Sequence, residues 1–383
     1  MRIGIVAAEP SGDTLGAGLM QALRGIHPDA AFEGIGGPQM LEQGMDNWFP
    51  MEKLSVMGLV EVLKHLPELL GIRRELAKRW RQAPPDLFIG VDAPDFNLGL
   101  ETRLRRQGVA TVHYVCPSVW AWREKRVGKI RQAADLVLSI FPFEKDFLAG
   151  HGIKASYVGH PLAQTFPLPA DKASSRAALS LTAEQPVLAL LPGSRSSEVQ
   201  YLSRPFLLTA LECSRQLPGL RILVPLVNDK TWRLFQAQLA EYAPDLDVTV
   251  LDADARLALT AADAALIASG TATFESLLCE CPMVVGYKLH WLSYRLIKGL
   301  KLIKIEHVAM ANLLSDRVLA PEFIHQACEP EQLTPALMKL FQQPQLIEPI
   351  REHYRQIHRS LIMDTNQRAA NAVLALLAAA GHG

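Results

Sequence analysis

Val187-Leu188-Ala189-Leu190-Leu191-Pro192-Gly193-Ser194-Arg195-Ser196-Ser197-Glu198 is the stretch on which the fold turns. Five consecutive apolar residues read as a strand buried on both faces, which is how strands look in a parallel sheet covered by helices. Pro192 and Gly193 end the strand in a turn. The polar residues after the glycine open a helix. A glycine at such a turn lets the backbone approach a ligand, and the helix start offers free N–H groups at the positive end of its dipole. Arg195 adds a forked donor that matches phosphate oxygens. Alone it would read as a surface arginine on an ordinary loop. With Ser194, Gly193 and a helix start beside it, it reads as part of a diphosphate site.

The same unit recurs on both sides of this stretch. Toward the C-terminus, strand candidates are Arg221–Pro225, Val248–Leu251, Ala264–Ala268 and Met283–Tyr287. Toward the N-terminus they are 2–7, Phe32–Gly34, Leu87–Val91, Thr111–Val115 and Leu136–Ser139, with helical patterns such as Thr14–Arg24 and Phe96–Gln107. Pro167, Pro169 and the polar run Asp171–Ser175 separate the two series. The expected architecture is α/β, with two Rossmann-like doubly wound domains facing a cleft. The expected boundaries are 1–164, 165–345 and a strandless helical tail, 346–383, that returns to the first domain or to a partner. A chain of 383 residues is long enough for two cores.

Composition removes several function classes. Lys plus Arg total 39 and Asp plus Glu total 39, so no bulk basic field invites nucleic acid. The five cysteines, Cys116, Cys213, Cys279, Cys281 and Cys328, form no C-x-x-C pair and read as reduced thiols. No signal peptide and no run near the ~18 apolar residues of a spanning helix is present. Gly12, Gly16 and Gly18 do not make G-x-G-x-x-G, and no P-loop follows the first strand, so a dehydrogenase or a P-loop enzyme is disfavoured.

In an open α/β sheet, ligands bind beyond the carboxyl ends of the strands. After the first strand come Glu9, Ser11 and Asp13, with Ser11 and Asp13 equally readable as helix caps. Leu87–Val91 ends on Asp92, which is poorly placed for capping and well placed as a base. Asp95 reads as an N-cap. Ala264–Ala268 runs into Ser269-Gly270-Thr271-Ala272-Thr273-Phe274-Glu275. Thr271 and Glu275 are four apart and share a helix face. Glu275 there could accept hydrogen bonds from two ribose hydroxyls, or it could be an exposed helix glutamate. Asp252-Ala253-Asp254 is a D-x-D at the end of a strand candidate, and no metal or cofactor is expected to depend on it.

The Pro-Gly-Ser-Arg loop followed by Gly-Thr-x-x-x-Glu resembles the second domain of GT-B nucleotide-sugar glycosyltransferases. The first half narrows the resemblance. Glu9-x-Ser11-Gly12-Asp13, Val56–Val62, Asp92-Ala93-Pro94-Asp95-Phe96-Asn97 and Pro117–Arg123 are similar to signatures of the lipid-A-disaccharide synthase family. So are Phe141–Glu144, Val158-Gly159-His160, Cys281–Tyr287 and Asn312-Leu313-Leu314. Ala8 stands where the family usually has glycine, and Met310-Ala311 where it often has Leu-Pro.

The resemblance implies an inverting transfer of 2,3-diacylglucosamine from UDP to the 6-hydroxyl of 2,3-diacylglucosamine 1-phosphate (lipid X). It places the general base at Asp92 and nucleotide or substrate contacts at Arg195, Glu275 and Asn312. Glu9, Ser11, Ser194, Gly270 and Thr271 complete the candidate binding set. It also implies a homodimer that exchanges C-terminal segments, and a cytoplasmic enzyme bound peripherally to the inner membrane. Tyr287–Lys304 has the pattern of a basic amphipathic helix, and Leu54–Ile72 reads as core, acyl-chain groove or both. Trp120 and Trp122, with Arg123, Lys125 and Arg126, could wall an acceptor pocket or simply pack. A UDP-N-acetylglucosamine 2-epimerase would share the second domain without needing lipid. A non-catalytic nucleotide-sugar binder would not need Asp92.

Overall fold

The computed structural model describes residues 1–54, 59–122, 126–288, 307–379 and 381, and it divides into two compact units. The first is Met1–Pro161 with Ile362–Gly383, and the second is Leu162–Leu361.

The first unit is built on seven parallel strands. They are β1 (Arg2–Ala7), β2 (Ala31–Ile35), β3 (Asp46–Asn47), β4 (Leu87–Val91), β5 (Ala110–Tyr114), β6 (Leu136–Ser139) and β7 (Ala155–Tyr157). Their order is β3-β2-β1-β4-β5-β6-β7. Every residue of β4 and β5 is buried, as the unbroken apolar run of β4 predicts, although β5 carries Thr111 and His113. Alternation along β1 sends Ile3 and Ile5 to one core and Val6 to another. The first core is completed by the helix Pro10–Ile26, through Leu19 and Leu23, and by the last helix, Thr365–Ala379, through Val373 and Leu377. The second core holds Trp80, whose ring packs edge-on against Phe88 at 5.1 Å and whose Nε1 donates to Glu33 at 2.8 Å.

The second unit has six parallel strands. These are β8 (Val187–Leu191), β9 (Arg221–Leu226), β10 (Thr249–Asp252), β11 (Ala264–Ala268), β12 (Met283–Tyr287) and β13 (Glu322–Ile324), in the order β10-β9-β8-β11-β12-β13. Asp263 ties the entry of this unit to its sheet. It pairs with Lys172 at 2.6 Å and Arg176 at 2.8 Å and accepts from the Val187 N–H at 2.9 Å.

The α/β class with two doubly wound sheets is as the sequence indicates, and the last helix returns to the first unit. The helix Pro344–Leu361 belongs to the second unit, with Tyr354, Ile357 and Leu361 buried. Three strands escape the sequence pattern: β3, β7 and β13. Each lies at a sheet edge and has two or three residues, too few to show a period.

Two capping expectations fail. Asp95 is not an N-cap: Ala93 takes that place in a left-handed conformation, and Asp95 lies exposed in the first turn, 3.0 Å from Arg126. Ser11 and Asp13 do not cap their own helix, which begins earlier, at Pro10. Asp13 instead caps a different helix. Its carboxylate accepts from the N–H groups of Gly37, Gln39 and Met40 at 2.9–3.0 Å, at the start of Pro38–Glu42.

Residues 289–304 of Tyr287–Lys304 lie outside the described residues, as do Arg123, Lys125 and residues 55–58 of Leu54–Ile72. The later part of that second segment is core at Ile72.

Candidate active site

Strand order reverses direction twice, between β1 and β4 and between β8 and β11. These are the topological switch points, where loops diverge and leave a crevice for ligand. Glu9 and Ser11 follow β1, and Asp92 follows β4. Ser194 and Arg195 follow β8, while Gly270, Thr271 and Glu275 follow β11. The candidate residues therefore gather at two switch points, one in each unit.

In the second unit they line one cavity of about 330 Å³. Its walls include Gly193, Ser194, Arg195, Glu198, Gly270, Thr271 and Glu275. Gly193 and Gly270 have φ of 121° and 151°, conformations that L side chains rarely adopt. A side chain at Gly193 would also collide with Glu198. Two helices point their N-termini at this cavity: Ser196–Gln216, capped at Arg195, and Thr271–Leu278, capped at Gly270. Two positive dipole ends and a guanidinium make it a place for an anion.

Glu198 is a residue whose task the sequence reading leaves out. Its carboxylate accepts from the Ser194 and Arg195 N–H groups at 3.0 and 3.2 Å, and it contacts the Arg195 guanidinium at 3.3 Å. It closes a capping box, and Glu three residues after the N-cap is the sequence signal for one. The Arg195 side chain remains 71% exposed and projects along the cavity rim. Glu275 is half-buried, and that burial pushes its carboxyl up. Among the described residues it has no hydrogen-bond partner, so both oxygens are open to ligand hydroxyls.

Asn312 lies apart from the cavity lining. It is buried, and its amide is fully used within the unit. Nδ2 donates to the Ala320 carbonyl and to Glu322, both at 2.7 Å, while Oδ1 accepts from Leu319 and Ala320 N–H at 2.7 and 2.9 Å. The short helix it stands on, Met310–Leu313, starts with a bond from Met310 N–H to Thr273 Oγ1 at 3.2 Å. Asn312 thus pins a loop against the helix that carries Glu275. Asp254 caps the helix Ala255–Ala261 by accepting from Leu257 N–H at 2.8 Å.

In the first unit, Asp92 and Ala93 have φ of 50° and 42°. Two consecutive non-glycine residues in the left-handed region cost about 1–3 kcal/mol each and persist only where the surroundings enforce them. Here Asp92 N–H donates to the Tyr114 carbonyl at 2.8 Å, and Asn97 Nδ2 donates to the Asp92 carbonyl at 2.8 Å. Asn97 also reaches the carbonyls of Val6 and Val91 at 3.3 Å, so it locks the β1 and β4 ends together. Burial pushes the Asp92 carboxyl up, while the His113 imidazole and the Ala93 N–H pull it back. The backbone is thus spent on aiming this one carboxylate. Glu9 is the N-cap of the first helix, and Ser11 is exposed in its first turn.

Trp120 packs edge-on against Phe143 at 4.9 Å and donates from Nε1 to the buried Glu144 at 3.2 Å. That is a packing role. All five cysteines are buried and unpaired.

The family model for lipid-A-disaccharide synthetase matches residues 3–376. The chain belongs to the lipid-A-disaccharide synthase family. The lipid-A-disaccharide synthase of Sodalis glossinidius (strain morsitans) is 49% identical over 375 residues, covering 98% of each chain. That of Pseudomonas aeruginosa (strain LESB58) is 50% identical over 378 residues, again with 98% of each chain covered. The chain is therefore a glycosyltransferase, and its substrates are lipid sugars. Solved structures share its fold at much lower identity. The UDP-GlcNAc 2-epimerase from Neisseria meningitidis bound to UDP-GlcNAc superposes with a TM-score of 0.61 at 12% identity, covering 99% of this chain and all of the other. The glycotransferase of kitacinnamycin does so with 0.59 at 16%, covering 98% of both. Such likeness shows the GT-B fold alone. Membership of the lipid-A-disaccharide synthase family separates this chain from the epimerases.

Proposed function

We propose that the chain transfers a 2,3-diacylglucosamine unit from UDP to the 6-hydroxyl of 2,3-diacylglucosamine 1-phosphate. The products are the β-1′,6-linked disaccharide 1-phosphate and UDP. The observation that supports the UDP half most directly is the cavity where Arg195, two helix N-termini and an open Glu275 converge.

In this reading the diphosphate lies at Ser194, Arg195, Gly270 and Thr271, and Glu275 accepts from the ribose hydroxyls. The acceptor oxygen attacks C1 from the face opposite the α-linked diphosphate. The new C1–O6 bond forms as the C1–O bond to phosphate breaks, and that electron pair leaves on UDP. The arginine and helix dipoles stabilise the growing charge. The proton of the 6-hydroxyl passes to Asp92, which burial makes a stronger base than a solvated aspartate. Glu9 and Ser11 contact substrate at the neighbouring β1 loop. Asn312 acts through the loop it holds.

No helix among the described residues is long and apolar enough to cross a membrane. Lipid-sugar substrates then call for peripheral contact with the inner-membrane surface from the cytoplasm, and a homodimer completes the proposal. The test is turnover of UDP-2,3-diacylglucosamine with labelled lipid X. Disaccharide phosphate and UDP should appear in equal amounts, and only with both substrates present. UDP release that ignores the lipid acceptor would refute the reading. Flotation with anionic liposomes at low salt tests the membrane contact.

A further inference from the structure

We propose that the buried His113–Glu101 pair is a positioning device for Asp92: it holds a cationic imidazole beside the carboxylate that accepts the acceptor's proton. The inference rests on Asp92 being that base.

His113 lies on β5, in register with Gly90 of β4, two residues before Asp92. Glu101 lies on the helix Pro94–Arg105, which begins two residues after Asp92. Both side chains are fully buried, and His113 Nδ1 stands 2.7 Å from Glu101 Oε1. Gly90 makes the approach possible, because any side chain there would collide with the Glu101 carboxylate and with Asn97. The strand, the helix and a glycine are thus fitted around one charged pair.

That pair is not closed as a structural pair would be. His113 Nε2 and Glu101 Oε2 have no hydrogen-bond partner among the described residues. Buried polar groups are ordinarily satisfied, and a buried ion pair is often no more stabilising than apolar residues of the same volume. Stability gives no reason for a histidine inside the fully buried strand Ala110–Tyr114. Charge does. Burial works against the cation, but the Glu101 carboxylate in contact with the ring, with a smaller contribution from Asp92, outweighs it and moves the imidazole up. The cation in turn offsets part of the burial that pushes the Asp92 carboxyl up.

Among the described residues, no other ionisable side chain from the surrounding elements bears on His113. Its partner on β6 is Val137, flanked by Leu136 and Leu138, which pair with Val112 and Tyr114. Arg73, on the helix Leu59–Gln82, lies against Gly99 and the Asp95 carbonyl. Arg105 pairs with Asp135 at the far end of the Pro94 helix. Asp13 spends its carboxylate on the Pro38 helix.

The experiment measures kcat and KM against pH for the full chain and for His113→Asn, Glu101→Gln and Asp92→Asn. The asparagine amide can still donate to Glu101, so His113→Asn removes the charge and keeps a bond. An opposite charge at close range moves a carboxylate by about 1–3 pH units. The acidic limb of kcat should therefore move to higher pH by about one unit or more in His113→Asn. Glu101→Gln should move it in the same direction, because His113 loses the carboxylate that keeps it charged. KM for both substrates should stay within about twofold, and adding His113→Asn to Asp92→Asn should change nothing further. A uniform loss of kcat with an unmoved acidic limb would make the pair structural and overturn the inference. Glu101→Gln, nearly isosteric, decides the matter if His113→Asn does not fold. Near-normal turnover in Asp92→Asn would remove the base assignment itself. An inactive Asp92→Asn with an unmoved limb in both other variants overturns only the role of the pair.

Discussion

Arg195→Ala should weaken UDP binding by about 5–30-fold while leaving the unliganded enzyme intact. The guanidinium is 71% exposed, and its one ion pair among the described residues is with Glu198 at 3.3 Å. Losing it removes no packing, and alanine keeps the backbone N–H that Glu198 accepts from. A charge-assisted hydrogen bond to a phosphate oxygen contributes about 1.5–3 kcal/mol. Against this, the guanidinium gives up part of its contact with Glu198 when it turns to the ligand, an exposed pair worth about 0–1 kcal/mol. The difference, about 1–2 kcal/mol, corresponds to the stated factor.

Calorimetric titration of UDP reads that factor directly. Thermal melting gives a second, independent measure. At a UDP concentration near 100 times the wild-type Kd, ligand stabilises the wild type by about 2.7 kcal/mol, and the variant should gain about 1–2 kcal/mol. UDP affinity should also become less sensitive to salt, since one phosphate-facing cation is gone. An unchanged Kd would refute the diphosphate assignment. A fall in the melting temperature of the unliganded variant would show instead that the loop, and not the contact, had been lost.

Two further outcomes follow from buried carboxylates in the first unit. Asp13→Ala strands three N–H groups at the start of Pro38–Glu42 and should cost about 2–4 kcal/mol in urea unfolding, with Asp13→Asn costing less because one acceptor oxygen remains. Glu144 is pushed by burial from an ordinary value near 4.5 up to about 7, so the folded state holds its proton more tightly than the unfolded state. Its contribution is whole below about pH 4.5 and falls as pH rises toward 7. The stability of wild type relative to Glu144→Gln should therefore decline by about 3 kcal/mol across that window, and parallel curves would refute the burial argument.

The strand–turn–helix units were legible because they are local. Five apolar residues, a glycine and a polar helix start lie next to one another at Val187–Glu198, and Ala264–Glu275 repeats the pattern. Periodicity and turn chemistry are sufficient there, so the cavity residues Ser194, Arg195, Gly270, Thr271 and Glu275 could be named before their geometry was known. What could not be read was set by partners distant in sequence. Asp13 looks like a cap for its own helix, yet its three donors lie 24 to 27 residues on. The left-handed turn at Asp92 and Ala93 follows from Asn97 reaching the ends of β1 and β4 at once, and no local propensity favours it.

The carboxylates near strand ends show why sequence position alone does not separate function from structure. Asp13 accepts from three backbone N–H groups at a helix start, and Asp254 caps its own helix from an exposed position. Asp95 sits in solvent beside Arg126. Glu198 closes a capping box. Each is consumed by the fold or screened by water. Asp92 and Glu275 differ from all four, because burial raises both and neither is saturated by donors among the described residues. A carboxylate that is desolvated yet left open is costly to the fold unless a ligand or a proton completes it. That condition is met at one switch point in each unit, which is where the proposed transfer needs a ribose contact and a base.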